Sequence, residues 1–117
     1  MANTSVLRLA GQTLGLSVTT SAHSAVALVA NTTDQANYVS CLNTGTGSVA
    51  IKFSQISTDS AAVPGDGTLG DFILPAVMEM PIVIACPVIN NQLPCYVTAK
   101  SVSGTNLVYV TPLVDQS

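Results

Sequence analysis

The feature that most constrains this chain is the stretch Phe72–Ile89, FILPAVMEMPIVIACPVI. Its eighteen residues hold fourteen apolar side chains, three prolines and one carboxylate, Glu79. Three destinations compete for so apolar a segment: a membrane, a core, or a surface that meets another chain. A bilayer of ~30 Å requires about twenty apolar residues in one helix. Pro75, Pro81 and Pro87 recur every six residues. Each removes a backbone donor and disfavours helical geometry in the residue before it, so no helix interior remains to insert. No Lys/Arg cluster flanks the stretch, and the opening MANTSVLRLAGQTLGLSVTT lacks the charged start and unbroken apolar run of a secretory signal. The expectation is a chain that engages no membrane and stays in the compartment where it is made.

The 117 residues suffice for one domain with one core. Charged residues make up 8%, against a typical ~25%, while Ser and Thr together number 25. The surface is therefore neutral and hydroxyl-rich, a poor dispersant for a free monomer, and this predicts a homo-oligomer, a trimer in preference to a dimer. With a net charge of −3 and only Arg8, Lys52 and Lys100 as cations, widely spaced, no basic patch for nucleic acid can be drawn.

The rest of the sequence predicts strands and turns. Leu14, Leu16 and Val18 alternate with small or polar residues, the period of a half-buried strand. Ala25–Ala30 is a short apolar run suited to a strand buried on both faces. Tyr38–Asn43 and Ser48–Ser54 flank TGTG, and Tyr96–Ser101 and Asn106–Thr111 flank Ser103-Gly104-Thr105. Both arrangements predict hairpins, with Pro112 as a stop. Between them, Pro64, Gly65, Gly67 and Gly70 mark a long loop. Short strands about every ten residues predict a single antiparallel β-sandwich or jelly-roll-like domain. Within it Met1–Ala10 forms either an extended N-terminal arm or an ordinary first strand. The prolines cut FILPAVMEMPIVIACPVI into three extended pieces and confine them to edges. In AVMEM, Val77 and Glu79 are expected on one face and Ala76, Met78 and Met80 on the other. In IVIAC neither face is polar, so one side belongs to the core and the other to a neighbouring subunit or the domain's own loops.

Chemistry is sparse. TGTGS contains a G-x-G but leads into the strand-like VAIKF, so the phosphate-cradling geometry is missing. DGTLGD offers Asp66 and Asp71 without the spaced acidic set of an EF-hand. His23, with Asp34 eleven residues on, has no G-x-S-x-G elbow, and Glu79 is the only glutamate, which rules out a glutamate pair within one chain. Asn3-Thr4-Ser5 and Asn31-Thr32-Thr33 match the glycosylation pattern but lack a secretory context. Cys41, Cys86 and Cys95 are an odd set without a C-x-x-C pair, suited to a reducing compartment as apolar fillers; a Cys86–Cys95 bridge closing PVINNQLP is the alternative. No enzyme activity, cofactor or metal is expected.

The hairpin Tyr-Val…Asn-Thr-Gly-Thr-Gly…Val-Ala-Ile-Lys-Phe, the Pro/Gly loop, DFILPAVMEMPIVIACP and the closing GTNLVYVTP together resemble small virion proteins of tailed bacteriophages, over roughly residues 36–112. Where that pattern more usually follows Thr-Pro with Gly, this chain has Leu113-Val114-Asp115. At this length the resemblance is to head cement or decoration proteins, β-rich oligomers on the outer capsid face. It implies a structural role on the virion, after synthesis in the bacterial cytoplasm, with the major capsid protein and further copies of itself as partners. A head fibre base, neck or tail component, or a carbohydrate- or receptor-binding β-sandwich module, is the alternative; with no Trp and five other aromatic residues, the glycan reading has little platform. Leu7, Arg8, Leu9, Val77, Glu79 and Met80 are the candidate subunit or capsid contacts.

Overall fold

In the computed structural model, described for residues 7–31, 36–89 and 94–115, the chain is a sandwich of two antiparallel sheets. Among the described residues the nine strands are β1 (Leu7–Leu9), β2 (Leu14–Val18), β3 (Val26–Leu28), β4 (Ala36–Asn43), β5 (Val49–Ser54), β6 (Phe72–Leu74), β7 (Ile82–Ile89), β8 (Cys95–Ser101) and β9 (Asn106–Asp115). The five-stranded sheet runs β1-β9-β4-β7, with β2 pairing β9 beside β1; the four-stranded sheet runs β3-β8-β5-β6. Inward-facing residues such as Leu16, Val39, Ile51, Leu74, Val97 and Val110 are fully buried and form one core between the sheets.

Both expected hairpins are instead arches. β4 and β5 lie in different sheets, as do β8 and β9, so TGTG and Ser103–Thr105 carry the chain across the core. The cause is a buried asparagine at the end of each strand. Asn43 donates from Nδ2 to the carbonyls of Gly47 (2.9 Å) and Pro75 (3.1 Å), and its Oδ1 accepts from the Gly45 amide at 3.0 Å. Asn106 donates to Ser101 Oγ (2.9 Å) and to the Ser103 carbonyl (3.0 Å), and accepts from the Gly47 amide at 2.8 Å. The second asparagine thus ties one arch to the other. A Cβ on Gly45 would overlap the Asn106 side chain and one on Gly47 the Ser103 carbonyl, which is why glycine stands at both positions.

Two prolines sit inside strands. Pro87 lies in edge strand β7, where pairing with β4 shifts register between Ala36↔Ile89 and Tyr38↔Ala85, a bulge that tolerates a missing donor. Pro112, expected to stop β9, does not; the strand continues to Asp115. The Pro112 carbonyl accepts from the Ala10 amide at 2.9 Å. Since the N–H and C=O of one strand residue point the same way, the absent donor falls where β2 leaves β9, after Leu14↔Val110, and β1 has yet to join at Leu9↔Leu113. The one bond a donor at 112 would add, back to the Ala10 carbonyl, is replaced by the Asn31 amide at 2.6 Å. β3 is an edge strand with Ala27 exposed, so the two-sided burial expected of Ala25–Ala30 does not occur.

The outer faces of the two sheets differ. The long β5–β6 loop covers the four-stranded sheet: Ala61 is buried and its amide bonds Thr98 Oγ1 at 3.3 Å, with Thr98 and Ala50 buried beneath the loop. Asp71 Oδ2 accepts from the Ala62 amide at 2.7 Å and closes the loop; Asp59 reaches Lys52 at 3.7 Å and Ser54 Oγ at 2.5 Å. The five-stranded sheet has no such cover among the described residues.

Candidate functional site

The piece AVMEM is not a strand. Residues 76–80 form a bend between β6 and β7, bounded by Pro75 and Pro81. The Val77 amide bonds the Gly45 carbonyl at 2.9 Å and the Met78 amide the Asn43 carbonyl at 3.0 Å. The Asn43 amide in turn meets Met78 Sδ at 3.3 Å, and Met78 packs half-buried against the core. The bend is thereby pinned to the β4–β5 arch. Val77, Glu79 and Met80 point outward: Val77 is 63% exposed, Met80 77%, and Glu79 is exposed. The alternation expected for a strand fails because two prolines and an arch dictate the backbone path.

Val77 has φ 52°. A β-branched residue in the left-handed region is a genuine outlier, costing ~1–2 kcal/mol through the clash of Cβ with the following carbonyl oxygen. Glycine would remove that cost. A strained, apolar, solvent-facing side chain is the kind of observation from which a functional role is argued, and Val77 with Met80 makes a rigid apolar projection.

The other contact candidates lie elsewhere. Leu7, Arg8 and Leu9 form β1, paired with Asp115, Val114 and Leu113 of β9; here the ordinary first strand holds, while Met1–Val6 lie outside the described residues. Leu9 is 70% exposed, and Arg8 is exposed. β1 and the bend sit toward opposite ends of the five-stranded sheet, since Leu9 aligns through Leu113 with Tyr38 whereas the bend is bonded to Asn43. Five residues of β4 separate the two ends, ~17 Å at the strand rise.

Between them stretches a surface that sequence reading overlooked. On the outer face of the five-stranded sheet the cross-strand rows are Leu7–Asp115, Leu9–Leu113–Tyr38–Ala85, Thr111–Ser40–Val83, Gly15–Tyr109–Leu42 and Ser17–Leu107. Asp115, in an end row, is the one Asp, Glu, Lys, Arg or His among these positions. Val83, Leu107 and Tyr109 are exposed, and Thr13 and Thr111 share a hydroxyl hydrogen bond of 2.7 Å. The signal was in LVYV: Leu107 and Tyr109 alternate with Val108 and Val110, giving β9 two apolar faces.

The chemistry-bearing residues do not converge. His23 is half-buried, with Nδ1 2.7 Å from the Ser24 carbonyl, and its own carbonyl accepts from Thr98 Oγ1 at 2.6 Å; Asp34 lies outside the described residues. Asp66 is exposed at the turn bridged by Gly65 and Thr68, while Asp71 holds the loop backbone. Among the described residues no group of three or more His, Cys, Asp and Glu is placed to hold a metal. The three cysteines are free. Cys41 and Cys95 are fully buried core fillers, and burial pushes the Cys41 thiol up to about 12. A hydrogen bond with Cys95, then burial, raises Cys86. Open grooves flank the sandwich. One, of about 450 Å³, lies between Phe53 and Phe72 on one side and Ile84 and Pro87 on the other.

The chain matches no known family model. Comparison with curated proteins and with solved structures likewise gives no match. The functional reading rests on the geometry and on the sequence pattern.

Proposed function

We propose that this chain is a structural virion protein of a tailed bacteriophage: a capsid cement or decoration protein that binds the outer face of the major capsid protein shell, works as a homo-oligomer, and performs no catalysis. The observation that carries the reading is the bend at Val77–Met80, an apolar projection held in a strained backbone and pinned by the β4–β5 arch. A clamp on a lattice needs a rigid scaffold and an exposed contact that loses little entropy on binding. Its affinity is multiplied when an oligomer engages several lattice points at once. Leu7–Leu9, toward the far end of the same sheet, supplies a contact between subunits, and Glu79 and Arg8 give each contact a charged rim that favours orientation over raw affinity.

The test is cosedimentation of the purified protein with shells assembled from the cognate major capsid protein. Wild-type protein is expected to pellet with the shells and to raise their thermal disruption temperature. Met80→Asp, which places a charge on a 77% exposed side chain, is expected to abolish pelleting while leaving the subunit folded. Undiminished binding by Met80→Asp and by Val77→Asp rules the bend out as the contact, and wild-type protein that ignores the shells refutes the reading.

A further inference from the structure

We infer that the outer face of the five-stranded sheet is the interface between two copies of this chain, packed face to face about a two-fold axis. This deepens the homo-oligomer part of the proposed function by naming the surface, and it favours a dimer over the trimer anticipated from composition.

Three observations converge. The chain covers one outer face with its own β5–β6 loop, burying Ala50, Ala61 and Thr98 there, and leaves the other bare. Second, the bare face carries a single charged position in its five cross-strand rows, Asp115 in an end row, whereas Asp59, Asp66 and Asp71 lie on or beside the covering loop and Glu79 lies at the bend. Two copies of a chain of net charge −3 therefore meet there with Asp59, Asp66, Asp71 and Glu79 held apart and Asp115 at the end of the patch. A strongly charged partner finds one carboxylate at most on such a face, while a second copy needs no charged complement. Third, the size fits. The five rows hold fourteen positions, which at ~6.8 Å by ~4.8 Å each project to about 450 Å². Side-chain relief brings the accessible area toward the ~800 Å² per partner of a standard interface.

A single self-complementary patch closes as a two-fold dimer, because a ring of three requires two different patches per subunit. Face-to-face sheets pack at ~10 Å with interdigitating side chains. Tyr109 and Leu107, exposed on the interior strand β9, are the anchors in this arrangement, and aromatic side chains such as Tyr109 dominate interface energetics. Thr111, Ser40 and Thr13 supply hydroxyls that hydrogen-bond without formal charge.

Sedimentation velocity on the isolated chain at micromolar concentration, with no shells present, tests this. The expected species has about twice the 11.9 kDa chain mass. Leu107→Lys/Tyr109→Lys is expected to weaken dimerisation by at least about 100-fold, since each substitution enters the interface twice. Val102→Lys, an equally apolar and exposed position off the face, is expected to leave it unchanged. Should the double variant misfold, hydroxyl-radical footprinting of the wild-type chain gives the answer: Tyr109 becomes protected as concentration rises. A monomeric wild-type chain, a dimer indifferent to the double substitution, or Tyr109 labelling independent of concentration overturns the inference. Shell binding is read separately, so a monomer that still pellets with shells refutes the dimer and spares the capsid reading, and a dimer that ignores them does the reverse.

Discussion

Replacing Asn106 with alanine removes the side chain that joins the two arches. Asn106 is 1% exposed and makes three hydrogen bonds. Alanine leaves the Gly47 amide and the Ser103 carbonyl without these partners; Ser101 Oγ keeps its bond to the Val18 carbonyl at 2.9 Å. A buried group left unpaired costs ~1–3 kcal/mol. Both groups are only part-buried, at half-buried Gly47 and exposed Ser103, so each stands at the low end and the loss is roughly 2–4 kcal/mol once the small void is added. Total stability of a domain is ~5–15 kcal/mol, so the variant gives up a large share of it. At about 4 °C per kcal/mol for a chain of this size, Tm falls by roughly 8–16 °C. Urea unfolding with native-state hydrogen exchange measures both the global change and its site: exchange at Gly47 is expected to accelerate beyond the global change. A destabilisation below ~1 kcal/mol, or an unchanged Gly47 amide, refutes the claim that these hydrogen bonds set the arches.

Four further outcomes follow from particular interactions. Val77→Gly releases ~1–2 kcal/mol of left-handed strain against the ~0.5–1 kcal/mol that glycine loses in chain entropy, so Tm holds or rises while shell binding falls; a lower Tm contradicts the strain. Met78→Ala, in view of the side chain's half burial, costs about 1–3 kcal/mol, the low end of what a fully buried methionine implies, whereas Glu79→Ala leaves Tm unchanged; equal destabilisation in thermal unfolding refutes the distinction. Gly70→Ala drives a Cβ into the Pro64 backbone and loosens the covering loop, read as increased proteolysis between Gln55 and Asp71 with β8 intact. The folded Cys41 thiol sits at about 12 against an ordinary 9.0, so the folded state holds its proton longer than the unfolded chain: that stability is complete below pH 9 and declines toward pH 12, by ~1.4 kcal/mol per pH unit. Urea midpoints at pH 8 and 10.5 for the wild type and Cys41→Val check this, with the variant's midpoint falling less.

The strands were legible in the sequence because their alternation is local. QTLGLSVTT, YVSCLN and CYVTAKS each show it, and each became a strand within a residue or two of the expected ends. The pairing was not legible. A Thr/Gly turn reads alike whether it closes a hairpin or an arch, and the choice here is made by Asn43 and Asn106, whose partners are up to 59 residues away. Pro112 misled for the same reason: whether a proline ends a strand depends on what lies opposite its missing donor, which the neighbours β1 and β2 decide. At the candidate site, Val77, Glu79 and Met80 were named as contacts, but the bend that turns all three outward was not legible: the alternation assumed across two prolines set Met80 with Met78 on the face opposite Val77. The bare face of the five-stranded sheet was missed although Leu107 and Tyr109 carry the same two-sided signature as IVIAC.

The most direct measurement of the central claim is a cryo-EM map of cognate capsid shells saturated with the purified protein. The account predicts ordered density for this sandwich on the outer capsid surface, with the Val77–Met80 bend against the major capsid protein, and bare shells when Met80→Asp is used instead. Bare shells at saturating wild-type protein, or density docked through the loop-covered face with the bend in solvent, contradict it.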